Sequence, residues 1–147
     1  MATINPKNGD LTAGVAGQSS DTINASPDPL VTGDAPQLYT EPLPVAADMV
    51  LEAREVVGFD ASDNLIPAVL GTTEAIGFVM YATDTTGATA GDVEVEVVRG
   101  GVFNPDLLVW DATYTDDAEK RAAFRGAPTP TNIIIRKPTT MSPAAPI

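Results

Sequence analysis

Three groups of oxygen-bearing side chains stand close enough in the sequence to do chemistry. Asp60, Ser62 and Asn64 fall at the first three ligand positions of a calcium-binding loop. The match then fails, because Leu65 stands where that loop needs Gly for its sharp bend and Gly71, twelfth in the count, replaces the bidentate Glu. Glu94 and Glu96 lie two apart, a spacing that puts both carboxylates on one face of a strand. Acid and base work would need a nearby nucleophile and a cause for their pKa values to separate, and the neighbouring sequence offers neither. Asp116 and Glu119 have the spacing of a capping box, in which two carboxylates accept from the unpaired N–H groups at a helix start. With no His and no Cys, the commonest general base, the thiol nucleophile and the usual zinc ligands are all missing. There is no Gly-rich phosphate loop. The sequence reads as a protein that is not an enzyme, with no catalytic, cofactor-binding or metal site.

The bulk properties exclude further classes. The net charge is −12, with 8 basic side chains against 20 acidic ones, which argues against a nucleic-acid partner because phosphate binding needs clustered Lys and Arg. No window reaches the ~18 consecutive apolar residues of a membrane span, and the first residues lack the basic-then-apolar order of a signal peptide. A soluble product of the cytoplasm with no membrane partner is expected. At 147 residues the chain holds one domain plus tails. One Trp, three Tyr and four Phe leave a core of small apolar side chains, each contributing modest burial that partner subunits could supplement.

Residues 1–36 contain no aromatic and space their few large apolar residues without period. Ile4, Leu11, Val15, Ile23, Leu30 and Val31 suit an extended arm that adds to a partner's sheet, where backbone bonds give affinity and isolated side chains fill pockets. Pro36, Pro42 and Pro44 enforce extended backbone at the boundary, so the body is placed at 37–136. Alternation over 49–54 predicts a half-buried strand. Apolar runs at 56–59 and 65–70 around a polar turn predict a hairpin, with Pro67 placing its second strand at a sheet edge. The apolar run 75–82 predicts the central strand, where Gly77 marks a close backbone approach or a bulge. Residues 83–92 predict a loop. Val93, Val95 and Val97 then alternate with Glu94, Glu96 and Val98, giving a strand with one apolar and one mostly acidic face. Ile133, Ile134 and Ile135 form the last strand, and 137–147 is an extended Pro-rich tail.

The chain is organised around residues 100–126, which hold the only Trp. The capping box predicts a short helix over 116–124, acidic at its start and basic at its end as the helix dipole favours, with Gly126 as its stop. A helix this short needs docking, so Ala118, Ala122 and Phe124 should pack on Leu107, Leu108, Val109 and Trp110. Phe103, Leu107, Leu108, Trp110 and Phe124 are candidates for the core or for a subunit interface, because large side chains in an aromatic-poor body sit where they are fully desolvated.

The order of features resembles the lambda-type bacteriophage head decoration family. It comprises a Gly-x-Phe turn at Gly101 and Phe103, Asp106-x-Leu108-x-Trp110, an acidic helix start, and Lys120-Arg121-x-Ala123-Phe124-x-Gly126, preceded by 75–84 as the family's central strand. The resemblance covers 45–135. It implies a mostly β, β-clip-like domain with one short α-helix, an amino-terminal arm and a carboxyl-terminal tail. It also implies a capsid-stabilising cement protein, bound as homotrimers to the outer surface of the expanded head at three-fold and quasi-three-fold positions, holding the shell against packed DNA. The partners would be the major capsid protein and the chain itself. The competing expectation is a β-rich receptor- or carbohydrate-binding module of a phage fibre or appendage, against which the low aromatic content counts.

Overall fold

A computed structural model describes residues 30–125 and 131–138. Within them the chain forms β1 (Val31–Gly33), β2 (Tyr39–Pro44), β3 (Val50–Leu51), β4 (Val56–Phe59), β5 (Leu65–Pro67), β6 (Gly77–Val79), β7 (Thr83–Asp84), β8 (Glu94–Phe103), α1 (Asp117–Ala123) and β9 (Asn132–Ile135), with a 3-10 turn at Pro105–Leu107. Among the described residues the fold is mostly β with one short helix, as expected from the sequence. Seven strands make one sheet, and β3 and β7 make a separate two-stranded ribbon.

The ten-residue strand β8 is the spine. Along one edge it pairs antiparallel with β2 and then β1. Along the other it pairs with β6 and then, in parallel, with β9. The apolar run at 75–82 yields only three residues of strand, and β6 lies inside the sheet between β8 and β4 rather than at its hub. Gly77 has the expected close approach, since a Cβ there would stand 2.3 Å from the Val98 carbonyl oxygen. The predicted hairpin is present as β4 and β5, with β5 at the end of the sheet.

Consecutive valines reveal that both faces of the sheet are covered. Val56, Phe78 and Val98 belong to one buried cluster, and their neighbours Val57, Val79 and Val97 to another. Alternating side chains point to opposite faces of a strand, so near-continuous apolar sequence is what double burial requires. Leu108, Phe124, Ile133 and Ile135 complete the first cluster, and Val45, Leu51 and Leu65 join the second.

Gly101 and Phe103 correct the expected turn: both lie in β8. Val98 and Phe103 share a cluster although they stand five positions apart, a spacing that an unbroken strand would send to opposite faces. The register explains it. Thr40 pairs with Val98 while Tyr39 pairs with Gly100, so β8 carries a bulge at Arg99 that resets the phase. Gly100 and Gly101 permit this: a Cβ on Gly100 would meet Tyr39 at 2.6 Å, and Gly101 has φ 132°.

The helix matches its signal closely. Asp116 accepts from the Glu119 N–H at 2.9 Å, and Glu119 accepts from the Asp116 N–H at 3.1 Å. Its docking differs from expectation, since Ala118 and Ala122 are exposed and the contact is made by half-buried Ala123 and buried Phe124. Gly126 lies outside the described residues. Lys137 joins the helix to the 3-10 turn by ion pairs with Asp117 at 2.9 Å and Asp106 at 3.4 Å.

These contacts predict an acid-sensitive fold. Backbone N–H groups of Thr115 and Asp116 hold the Glu119 carboxyl below its ordinary range, those of Asn64 and Ser62 do so for Asp60, and the Lys137 hydrogen bond does so for Asp117. Each such group stabilises the fold above its unfolded pKa, and that stability is lost as pH falls through the depressed folded value. Glu55 has the opposite sign: burial raises its pKa, so its contribution is present at low pH and lost as pH rises through the raised value. Hydrogen bonds from Thr86 and Thr113 depress Asp84 and Asp111 in the same way, so five depressed carboxyls stand against one raised. Thermal unfolding should therefore shift to lower temperature as pH drops below the ordinary carboxylate range, and Glu119→Gln should flatten that slope.

Candidate functional site

With no catalytic constellation in the sequence, the places to seek function are surfaces that could hold another chain. Among the described residues no cluster of three or more His, Cys, Asp or Glu could hold a metal. In the Asp60 turn Oδ1 accepts from Ser62 N at 2.7 Å and Asn64 N at 2.9 Å, so that carboxylate closes the turn itself. No helix among the described residues is long and apolar enough to cross a membrane.

The first candidate surface is the segment that begins at Leu30. Leu30 packs on the first cluster, and its carbonyl accepts from Asn104 N at 2.8 Å. Val31 pairs with Phe103 in β1 and is 47% exposed. The Thr32 hydroxyl donates to the Arg136 carbonyl at 2.9 Å, and the Arg136 guanidinium donates back to the Thr32 carbonyl. Arg136 N itself bonds the Phe103 carbonyl at 2.9 Å. The chain is thus stitched to both β8 and the end of β9 from Leu30 onward. Ile4, Leu11, Val15 and Ile23 lie outside the described residues.

The neighbouring edge is partly blocked. Val45 N donates to the Val93 carbonyl at 2.8 Å, so the alternation along β2 turns residues 41 and 43 toward β8 and residues 42 and 44 outward. Those outward positions are Pro42 and Pro44, which have no N–H to offer an incoming strand.

The second candidate surface surrounds the helix. Of the five large side chains singled out from the sequence, Phe103, Leu108 and Phe124 are buried in the core, whereas Leu107 and Trp110 are half-buried. Trp110 Nε1 donates to the Pro105 carbonyl at 2.9 Å. Its ring lies 5.1 Å from Tyr114 and 5.9 Å from Phe124, with the Lys120 ammonium 5.9 Å from its centre. Beyond it, Arg121 and Arg125 border a cavity of about 230 Å3 lined also by Ile133, Ile134 and Ile135.

Sequence reasoning missed the outward residues of the β3–β7 ribbon and the segment before it. Val50 and Tyr81 are each 65% exposed, the most exposed large apolar side chains in the described body. The alternation of 49–54 did carry the signal for Val50, but not which face would be covered.

The sequence model of the bacteriophage lambda head decoration protein D family matches residues 21–129, well over half of the chain. The chain belongs to the lambda head decoration protein D family. It is accordingly a structural protein of the phage head, associated with the capsid in the virion. Comparison with curated proteins returned no match. The matched stretch of this head decoration protein takes in residues 21–29, the stitched segment Leu30–Gly33 and every described element through α1. Among the described elements only β9 lies beyond it.

Proposed function

We propose that this chain cements the expanded head, binding its outer surface as homotrimers at three-fold and quasi-three-fold positions and holding the shell against packed DNA. The observation that carries this is the stitched root at Leu30–Gly33, which fixes where the arm leaves the body. Residues 1–29, with Ile4, Leu11, Val15 and Ile23, are the segment that reaches the major capsid protein by strand addition. Pro42 and Pro44 discourage the same kind of pairing at the adjacent edge of the body. Subunits associate on the helix side, where Leu107 and Trp110 keep part of their surface outward.

Three arms on one trimer give multivalency. Each binds weakly, but once one is engaged the others act at high effective concentration. If the sheet edge that receives the arm is formed only when the lattice expands, binding and maturation are coupled, and the coupling is reciprocal. Purified chain mixed with immature or with expanded undecorated shells should co-sediment with the expanded shells alone. Equal binding to both would remove the coupling.

A further inference from the structure

Residues 139–147 continue the chain beyond the described body, and their composition fits a pocket on that body. We propose that this tail docks in cis, as an extended proline helix, in the pocket beside Tyr114. The docking does not depend on the homotrimer, and the tail falls outside the matched residues 21–129.

The pocket is small, largely apolar and carries one aromatic ring. Leu70, Ala75, Tyr114, Ala122 and Ala123 line it, and its volume is about 160 Å3. Drug-sized ligands occupy pockets of ~300–1,000 Å3, so this one has room only for a compact side chain. Leu70 is 39% exposed and Ala122 is exposed, whereas Ala75 and Tyr114 are buried, so the apolar lining runs from the surface inward. Burial pushes the Tyr114 phenol above its ordinary value, with Asp111 and Glu74 acting in the same direction. The phenol therefore stays protonated and can donate to a main-chain carbonyl. Such a pocket suits a proline-rich segment, whose rings pack on aromatic side chains and whose carbonyls carry no internal hydrogen bonds.

The tail supplies that segment. It carries no charged side chain, and Pro143 and Pro146 stand three apart. Three residues make one turn of a polyproline helix, so both rings lie on one face. Pro128 and Pro130, nearer in sequence to α1, stand two apart and lack that match. The start of the tail is fixed. Lys137 forms ion pairs with Asp117 at 2.9 Å and Asp106 at 3.4 Å, so Pro138 leaves the body beside the first turn of α1. Ala122 lies five residues along that helix from Asp117, which is ~8 Å at ~1.5 Å per residue. The five steps from Pro138 to Pro143 cover ~16 Å at ~3.1 Å each. The first ring can therefore reach the pocket. Tethering keeps the segment at high effective concentration, so a weak contact stays occupied.

The test is paramagnetic broadening in the full chain. The chain has no Cys, so Ala145→Cys, off the proline face, takes a single nitroxide. Isotope-labelled chain bearing the nitroxide is refolded with a large excess of unlabelled wild-type chain. Amide signals of Leu70, Ala75, Ala122 and Ala123 should lose most of their intensity and regain it when the nitroxide is reduced. Adding Pro143→Ala with Pro146→Ala should abolish the loss. Adding Ala122→Gln should abolish it too, because Gln is a good helix former that fills the pocket from an exposed position, and unchanged thermal unfolding checks that the body is intact. Full intensity in the nitroxide-bearing chain overturns the proposal. Broadening that survives Ala122→Gln places the tail elsewhere and overturns it as well. Broadening seen without the wild-type excess but absent with it means that the tail crosses to another copy, and docking in cis fails.

Discussion

A chain shortened to begin at Leu30 is expected to fold and to form the same trimers as the full chain, yet to lose capsid binding by about a hundredfold or more, because multivalent engagement of the arms is removed as a whole. The cut falls at Leu30 for a structural reason. Leu30 is in contact with the core, Val31 pairs with Phe103, and Thr32 exchanges hydrogen bonds with Arg136. Removing residues 1–36 instead would strip β1 from the spine and uncover part of the first cluster, so loss of binding would be confounded with loss of stability. Sedimentation of both chains, with and without expanded undecorated capsids, separates the cases. Equal co-sedimentation of the shortened chain would mean that the body, not the arm, holds the shell.

The largest effect on stability is expected at Phe103. Its side chain is wholly buried, its ring meets Phe78 edge-on at 4.8 Å, and its backbone pairs with Val31 on one side and Ile135 on the other. Phe103→Ala removes a large buried side chain and leaves a cavity, at a cost of ~3–5 kcal/mol. The edge-to-face pair adds ~0.5–1.5 kcal/mol beyond area burial. Against a total stability of ~5–15 kcal/mol for a domain, that is a large fraction. Because the residue sits where β1, β8 and β9 meet, the arm root should loosen with it. Chemical denaturation should show the midpoint falling steeply. A shift no larger than that of an exposed substitution would mean that the site collapses around the missing ring.

What was legible in the sequence is what local chemistry specifies. The capping box at Asp116 and Glu119 needs only residues three apart, and the β4–β5 hairpin only a polar turn between apolar runs. Ile133, Ile134 and Ile135 read as a strand because of their branching, though nothing local could show that it would run parallel to β8. The long-range features were hidden. Gly100 and Gly101 resemble a turn, whereas they serve a bulge whose partner Tyr39 is remote in sequence. Leu30 and Val31 look like part of an aperiodic arm because their partners, Asn104 and Phe103, lie far along the chain. Thr83 and Asp84 look like loop residues, and only pairing with Leu51 and Val50 makes them a strand. Phe103, Leu108 and Phe124 could have served core or interface on sequence grounds, and the fold places all three in the core.

The most direct measurement is an image reconstruction of expanded heads saturated with the full chain. Three copies are expected over each three-fold and quasi-three-fold position on the outer surface, with each Leu30 root turned toward the shell and density continuing from it along a capsid strand. Bound copies at other positions, single copies, or density that joins the shell only through the body would contradict that expectation.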